Sequence, residues 1–197
     1  IICGIILGFR LINQDSFLLA NESANQKKIK TVLILHTNDI HGSVFAERKR
    51  TPAAKMASYF SEQRKKRKDV LVLDAGDCIT GTMMTDLFKG IPMFDVMSAM
   101  KYDYGVIGNH EFDHGWQQIL EFRKTATHPL LCANVYTPDG QIIGDASYEI
   151  KDLDGMKVGI IGVNSVLSPF RGNVMEQKVR LEDVTKCLKR LIPEVRP

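Results

Sequence analysis

The sequence lacks the features that mark several specialised classes of protein. Its net charge of +3 over 197 residues is too small to indicate binding to nucleic acid or to an anionic membrane surface. Its four cysteines lie far apart and none forms a CxxC pair, which excludes a cysteine zinc site of ordinary spacing and a dense disulfide framework. There is no internal repeat or low-complexity linker. What remains is an ordinary globular composition, 44% hydrophobic and 25% charged.

The first residues have the composition of a leader peptide. The apolar run at residues 1–9, IICGIILGF, is too short to span a membrane, and it fits the end of a secretory signal whose basic start is missing. A buried strand is the alternative, because short apolar runs occur in both. We therefore expect residues 1–28 to be a leader remnant, the mature chain to have no membrane span, and the protein to be exported.

From residue 29 onward, short β-branched runs alternate with helical segments, which predicts an α/β domain over residues 29–197. Strands are expected at TVLILHTND, DVLVLDAGD, YGVIGNH and LLCANVY. A hairpin is expected to turn at Asp154-Gly155, and an amphipathic helix to end near Pro193. The basic run RKKRK, residues 64–68, is interpreted as a solvated helix end rather than a nucleic-acid patch, since cations suit a helix C-terminus.

Three of the predicted strands end in the same way, with an apolar run followed by a cluster of polar side chains. In α/β sheets, ligands bind outside the carboxyl ends of the strands, so these clusters converge if the strands are neighbours. Any one cluster by itself is more often a capped turn, because Asp and Asn favour turns. Their alignment predicts one shared site, whose candidate residues are Asp39, His41, Asp77, Asn109, His110 and Asp113.

Carboxylate, amide and imidazole donors indicate a hard or borderline divalent metal. The one-residue spacing puts Asp39 and His41 on the same side if the backbone stays extended, so both could chelate one ion. Asp77, one strand over, could bridge two ions, and Asn109 could ligate the second without adding charge. This arrangement predicts a two-metal hydrolase.

His110 is predicted to face the substrate rather than to bind metal. Asp113, three residues on, is placed to accept a hydrogen bond from the other ring nitrogen and to fix the tautomer. The imidazole could then stabilise developing charge or protonate a leaving group. The predicted chemistry is attack of a metal-activated water on a phosphorus centre.

The other polar residues near these clusters are given structural interpretations. His36 lies inside an apolar run and is interpreted as a buried, hydrogen-bonded core histidine. Glu111 and His114 are expected to face solvent or to cap the next helix. His128 is expected to be a loop residue before a proline, and no partner is predicted for it.

The blocks ILHTNDIHG, LVLDAGD and YDYGVIGNHEFDHG resemble the calcineurin-like metallophosphoesterases, specifically the 5'-nucleotidase and UDP-sugar hydrolase branch. The resemblance implies part of a four-layer αββα sandwich and a dinuclear centre of Zn²⁺, Mn²⁺, Mg²⁺, Fe²⁺ or Co²⁺. It also implies a metal-dependent phosphoric ester hydrolase of nucleotides in the periplasm, at the cell surface or outside the cell. By position, it assigns metal binding to Asp39, His41, Asp77 and Asn109, and catalysis to His110 with Asp113.

The sequence also departs from the pattern of this branch. Its members carry a later GHxH block that completes both metals and a C-terminal domain that holds the nucleoside, and neither is present before Pro197. We therefore expect this chain to be the N-terminal portion of a catalytic domain. Two alternatives remain open: a catalytically inactive short metal-binding or interaction module, and a 2',3'-cyclic nucleotide phosphodiesterase.

Overall fold

The computed structural model describes residues 30–45, 52–164 and 178–196. The predicted leader, residues 1–28, lies outside the described residues. The described strands are β1 Leu33–Thr37, β2 Val70–Asp74, β3 Tyr104–Val106, β4 Leu130–Leu131, β5 Val135–Tyr136, β6 Tyr148–Leu153, β7 Met156–Ile161 and β8 Arg180–Leu181. The described α-helices are α1 Ala53–Lys66, α2 Met83–Leu87, α3 Ile91–Met100, α4 Trp116–Thr125 and α5 Val184–Val195, and a 3-10 turn spans His110–Phe112.

The first four strands form one parallel sheet in the order β1-β2-β3-β4. All five residues of β2 are buried, as its unbroken apolar sequence requires for a strand covered on both faces. Because every strand of this sheet runs in the same direction, the carboxyl ends of β1, β2 and β3 lie along one edge. This topology places the three predicted clusters next to one another.

Helices α1, α3 and α4 cover one face of the sheet. Helix α1 has one apolar face, since Ala53 and Phe60 are buried and Met56 and Ala57 pack against the same core. The methionines of α3 are also core residues, and Met97 is 1% exposed. Burial of these apolar side chains stabilises the helical layer.

The antiparallel hairpin β6-β7 covers the opposite face of the sheet. The hairpin turns at Asp154-Gly155, both with positive φ, as predicted. Its outer face packs against α5, whose buried residues are Cys187 and Leu191. The resulting order is helices, parallel sheet, hairpin and helix, which confirms the predicted α/β class and the αββα layering.

The last helix ends at Val195, near Pro193 as predicted. Two other expectations about local structure are wrong. LLCANVY is two strands in different sheets, because the chain leaves the parallel sheet after β4 and β5 pairs with β8. His36 is exposed rather than buried, because β1 is an edge strand and the apolar packing on its hairpin side stops at Ile34.

None of the described helices is long and apolar enough to cross a membrane. Two of the cysteines are core residues, since Cys132 and Cys187 are both 0% exposed. The basic last turn of α1 ends the helix, as predicted, and Arg64 there pairs with Asp103.

Candidate active site at the strand ends

The loops that follow β1 and β2 run side by side. The backbone N–H of Asp39 donates to the carbonyl of Gly76 at 3.0 Å, and that of His41 donates to the carbonyl of Asp77 at 3.1 Å. These bonds satisfy backbone groups that the sheet no longer pairs. They also fix Asp39 and His41 beside the loop that carries Asp77.

The backbone is not extended through the first cluster, contrary to expectation. Asp39, His41 and Asp77 have φ values of 52°, 49° and 57°, in the left-handed region. Residues other than glycine adopt this region at a cost, and such residues concentrate at functional sites. The turn still brings the predicted pair together, since His41 Nε2 lies 3.7 Å from Asp39 Oδ1.

Two glycines let the loops after β2 and β3 approach closely. A Cβ atom added to Gly76, which has a φ of 94°, would lie 2.7 Å from the backbone nitrogen of Gly108. A Cβ atom added to Gly108 would lie 2.3 Å from Asp77 Oδ1. Both distances are too short for a side chain, so the motifs DAGD and GNH need glycine for contact between the loops.

His110 begins the 3-10 turn after β3 and contacts three of the other predicted residues. Its backbone N–H donates to Asp77 Oδ1 at 2.9 Å, and its ring meets the ring of His41 edge-on at a centroid distance of 4.9 Å. Its Nδ1 lies 2.8 Å from Asp113 Oδ2, the contact expected from the spacing. Asn109, half-buried, directly precedes the turn. The structure therefore brings all six predicted residues to one place.

The pKa of His110 is raised. Partial burial opposes its protonation, but the hydrogen bond to Asp113 and the nearby charges of Asp113, Asp77 and Glu111 outweigh this effect.

Acidic side chains are concentrated beneath these loops. Burial raises the pKa of Asp77, and the neighbouring carboxylate of Asp39 adds to this effect, whereas the backbone N–H of His110 and the charges of His110 and His41 oppose it. Burial also raises the pKa of Asp74 to about 8, although the Thr37 hydroxyl donates to it at 2.8 Å. The site therefore gathers acidic groups whose ionised form is disfavoured by burial.

Glu111 was expected to face solvent or to cap a helix, and this expectation is wrong. Glu111 is 1% exposed. Its Oε2 accepts from the backbone nitrogens of Asp77 at 3.0 Å and Gly108 at 2.7 Å, and its Oε1 accepts from that of Cys78 at 2.9 Å. Burial raises its pKa, and the charge of Asp77 adds to the effect. A sequence signal existed, because tight glycine turns leave backbone N–H groups that need an acceptor.

His114 is also expected to face solvent or to cap the next helix. It is half-buried, and its Nε2 is a buried atom with no hydrogen-bond partner among the described residues. The expectation that His114 faces solvent is therefore only partly met.

The donor set suits a divalent cation in its chemistry. Asp39, His41, Asp77 and Asn109 offer the oxygen and nitrogen atoms that such ions bind. Burial raises the pKa of Asp77 and the carboxylate of Asp39 adds to this effect, and a nearby cation would oppose both. Within residues 30–45, 52–164 and 178–196, no three His, Cys, Asp or Glu side chains form a group that could hold a metal ion. The described residues therefore offer suitable donors without forming a complete metal site.

Comparison with known proteins identifies the family. The model of the calcineurin-like phosphoesterase family matches residues 32–185. The chain belongs to this family. Calcineurin-like phosphoesterases generally use divalent metals, in keeping with the donor set at the strand ends.

Curated relatives of this phosphoesterase chain are 5'-nucleotidases. The snake venom 5'-nucleotidase of Crotalus adamanteus is 36% identical over 156 residues, which are 71% of this chain and 26% of that protein. The NAD 5'-nucleotidase of Haemophilus influenzae is 34% identical over 182 residues, which are 85% of this chain and 30% of that protein.

The solved structure of the Haemophilus influenzae NAD nucleotidase is 29% identical to this chain and superposes with a TM-score of 0.70. The match covers 83% of this phosphoesterase chain and 32% of that one. The fold is therefore that of the 5'-nucleotidase structures, and the chain spans between about a quarter and a third of the length of these relatives.

Proposed function

We propose that the complete protein is an exported, metal-dependent phosphoesterase that hydrolyses phosphate esters of nucleotides, and that residues 30–113 carry part of its active site. The observation that supports it most is the arrangement of His110. Its ring is fixed by Asp113 through a 2.8 Å contact and lies edge-on to His41, at the carboxyl edge of a parallel sheet in a calcineurin-like phosphoesterase chain.

Asp39, His41, Asp77 and Asn109 would hold the metal ions on this side of the site. When bound, divalent ions supply Lewis-acid chemistry to a phosphate ester. The hydrogen bond from the backbone of His110 to Asp77 Oδ1 orients that carboxylate, which lies between the loops of β1 and β3. Asp77 is therefore proposed as the bridging ligand.

His110 is the proposed catalytic residue. With Nδ1 directed at Asp113, Nε2 is the ring nitrogen that would exchange a proton with an ester oxygen. Asp113 fixes the tautomer that this transfer requires. Neither side chain needs to bind metal in this arrangement.

The substrate class comes from the relatives. Their names describe 5'-nucleotidases and an NAD 5'-nucleotidase, and we propose a nucleotide as the substrate of this protein as well. The test measures phosphate release from nucleoside 5'-monophosphates and from 2',3'-cyclic nucleotides by the product of the complete gene, with and without Mn²⁺. No metal-dependent release from any of these substrates would refute the proposal.

Two substitutions separate the proposed roles. Asp77→Asn should lower bound Mn²⁺, measured by titration calorimetry, because it removes one charge from the bridging carboxylate. His110→Asn should leave Mn²⁺ binding unchanged and lower kcat by about 100-fold or more, because it removes a proton-transfer group. Equal loss of Mn²⁺ from both variants would contradict the role assigned to His110.

A further inference from the structure

The Glu111 carboxylate connects the loop after β2 to the turn after β3. It accepts hydrogen bonds from the backbone nitrogens of Asp77 and Cys78 in the first loop and from that of Gly108 in the second. All three distances lie between 2.7 and 3.0 Å. Three backbone donors converge on one buried side chain, and hydrogen bonds are stronger in a buried place than in water, so this is a firm link between the two loops.

The two loops connected by Glu111 carry different parts of the candidate site. Asp77 follows Gly76 in the first, whereas Asn109 and His110 directly follow Gly108 in the second. A second contact joins the same two loops, since the backbone N–H of His110 donates to Asp77 Oδ1. A shift of one loop against the other would therefore change the position of Asp77 relative to Asn109 and His110.

Glu111 is buried beneath the loops, where a substrate would not reach it. Its Oε1 and Oε2 both accept backbone hydrogen bonds, and the residue is 1% exposed. The glycine at position 108 leaves the space this carboxylate needs, because a Cβ atom there would lie 2.8 Å from Glu111 Oε2.

We infer that Glu111 is a positioning residue: by holding the loop of Asp77 against the turn of Asn109 and His110, its carboxylate sets the geometry in which these side chains meet metal and substrate. The inference rests on the proposed function, since it assigns a purpose to the distance between proposed ligands. It adds a residue that contacts neither metal nor substrate.

The test compares two substitutions at Glu111 in the product of the complete gene. Glu111→Gln keeps the shape, and its single side-chain oxygen can keep the bonds from Asp77 and Gly108 but not the one from Cys78. Glu111→Ala removes all three bonds. Because an outer hydrogen-bond partner of a metal site is worth about 10–100-fold in metal affinity or activity, we expect at least about a 10-fold loss of Mn²⁺ affinity in Glu111→Gln and a larger loss in Glu111→Ala.

Asp145→Asn is the matched control. Asp145 lies away from the site, and it also accepts a backbone hydrogen bond, from Leu130 at 2.8 Å, together with one from the Arg123 side chain. Both Glu111→Gln and Asp145→Asn should lower the unfolding temperature. Only Glu111→Gln should weaken Mn²⁺ binding and lower kcat, with faster amide hydrogen exchange at Cys78. If Glu111→Ala does not fold, Glu111→Gln alone decides the test.

The outcomes separate the inference from the function on which it rests. A wild-type protein that binds no Mn²⁺ and releases no phosphate refutes the proposed function. A functional wild type whose folded Glu111→Gln variant keeps its Mn²⁺ affinity and kcat refutes the inference. The same is true if Asp145→Asn and Glu111→Gln lower Mn²⁺ affinity equally, because the effect would then follow from lost stability.

Discussion

His128 should make the fold sensitive to acid. Its side chain is buried, with the residue 4% exposed, and neither ring nitrogen has a hydrogen-bond partner among the described residues. It lies beside the ring of Tyr102, at a centroid distance of 5.8 Å, and near Gly105. Burial lowers its pKa from 6.5 to about 4, although the carboxylates of Asp145 and Asp103 oppose this effect.

The sign of the effect follows from the direction of the pKa shift. The unfolded chain protonates His128 near pH 6.5 and the folded chain only near pH 4. The contribution of neutral His128 to the free energy of unfolding is therefore fully present above pH 6.5 and is lost as the pH falls towards 4. One pKa unit corresponds to about 1.4 kcal/mol, which gives a full loss of about 3 kcal/mol. About 2 kcal/mol of this loss is reached at pH 5.

The assay is urea unfolding of the wild type and of His128→Leu at pH 7.5 and pH 5. The free energy of unfolding of the variant should fall by about 2 kcal/mol less between these pH values than that of the wild type, because an apolar side chain of similar size has no proton to bind. His36→Gln serves as the control, since it removes an exposed imidazole and should lose as much stability as the wild type. The reasoning is refuted if His128→Leu shows the same acid loss as the wild type.

Two further substitutions test the geometry of the site. Gly108→Ala should lower both the free energy of unfolding and Mn²⁺ binding, because its Cβ would lie 2.3 Å from Asp77 Oδ1. Gly140→Ala is the control: nothing lies within 4 Å of its Cβ, so it should cost only about 1 kcal/mol of backbone strain and leave Mn²⁺ binding intact. Asp113→Asn should lower kcat by about 10-fold or more at unchanged KM and Mn²⁺ content, because it weakens the 2.8 Å contact that orients His110; a loss of Mn²⁺ instead would contradict that assignment.

The sequence was informative about the fold because its strongest signals are periodic. The apolar run of β2 and the one-sided stripe of α1 each correspond to a fully or partly buried element, and the Asp154-Gly155 turn is where its residue types place it. Signals of two or three residues were less reliable. LLCANVY contains enough apolar residues for one strand, but only its pairing partners decide that it is two.

The candidate site was predictable as a set of residues but not as a geometry. The rule that ligands gather at the carboxyl ends of parallel strands selected loops that the structure does bring together. It could not foresee the left-handed turns of Asp39 and His41, which depend on hydrogen bonds between the loops, or the burial of Glu111, which depends on backbone groups from two of them. The exposure of His36 likewise follows from which strands lie at the sheet edge.

The three left-handed residues impose a conflict between stability and chemistry on this edge of the sheet. At φ values near 50° glycine relaxes the backbone, whereas Asp and His adopt this region at a cost. Folding alone would therefore favour glycine over Asp39, His41 and Asp77. Substitutions chosen only for stability would replace these residues and so remove the side chains proposed to bind metal. A variant improved in this way would fold better and bind metal less well.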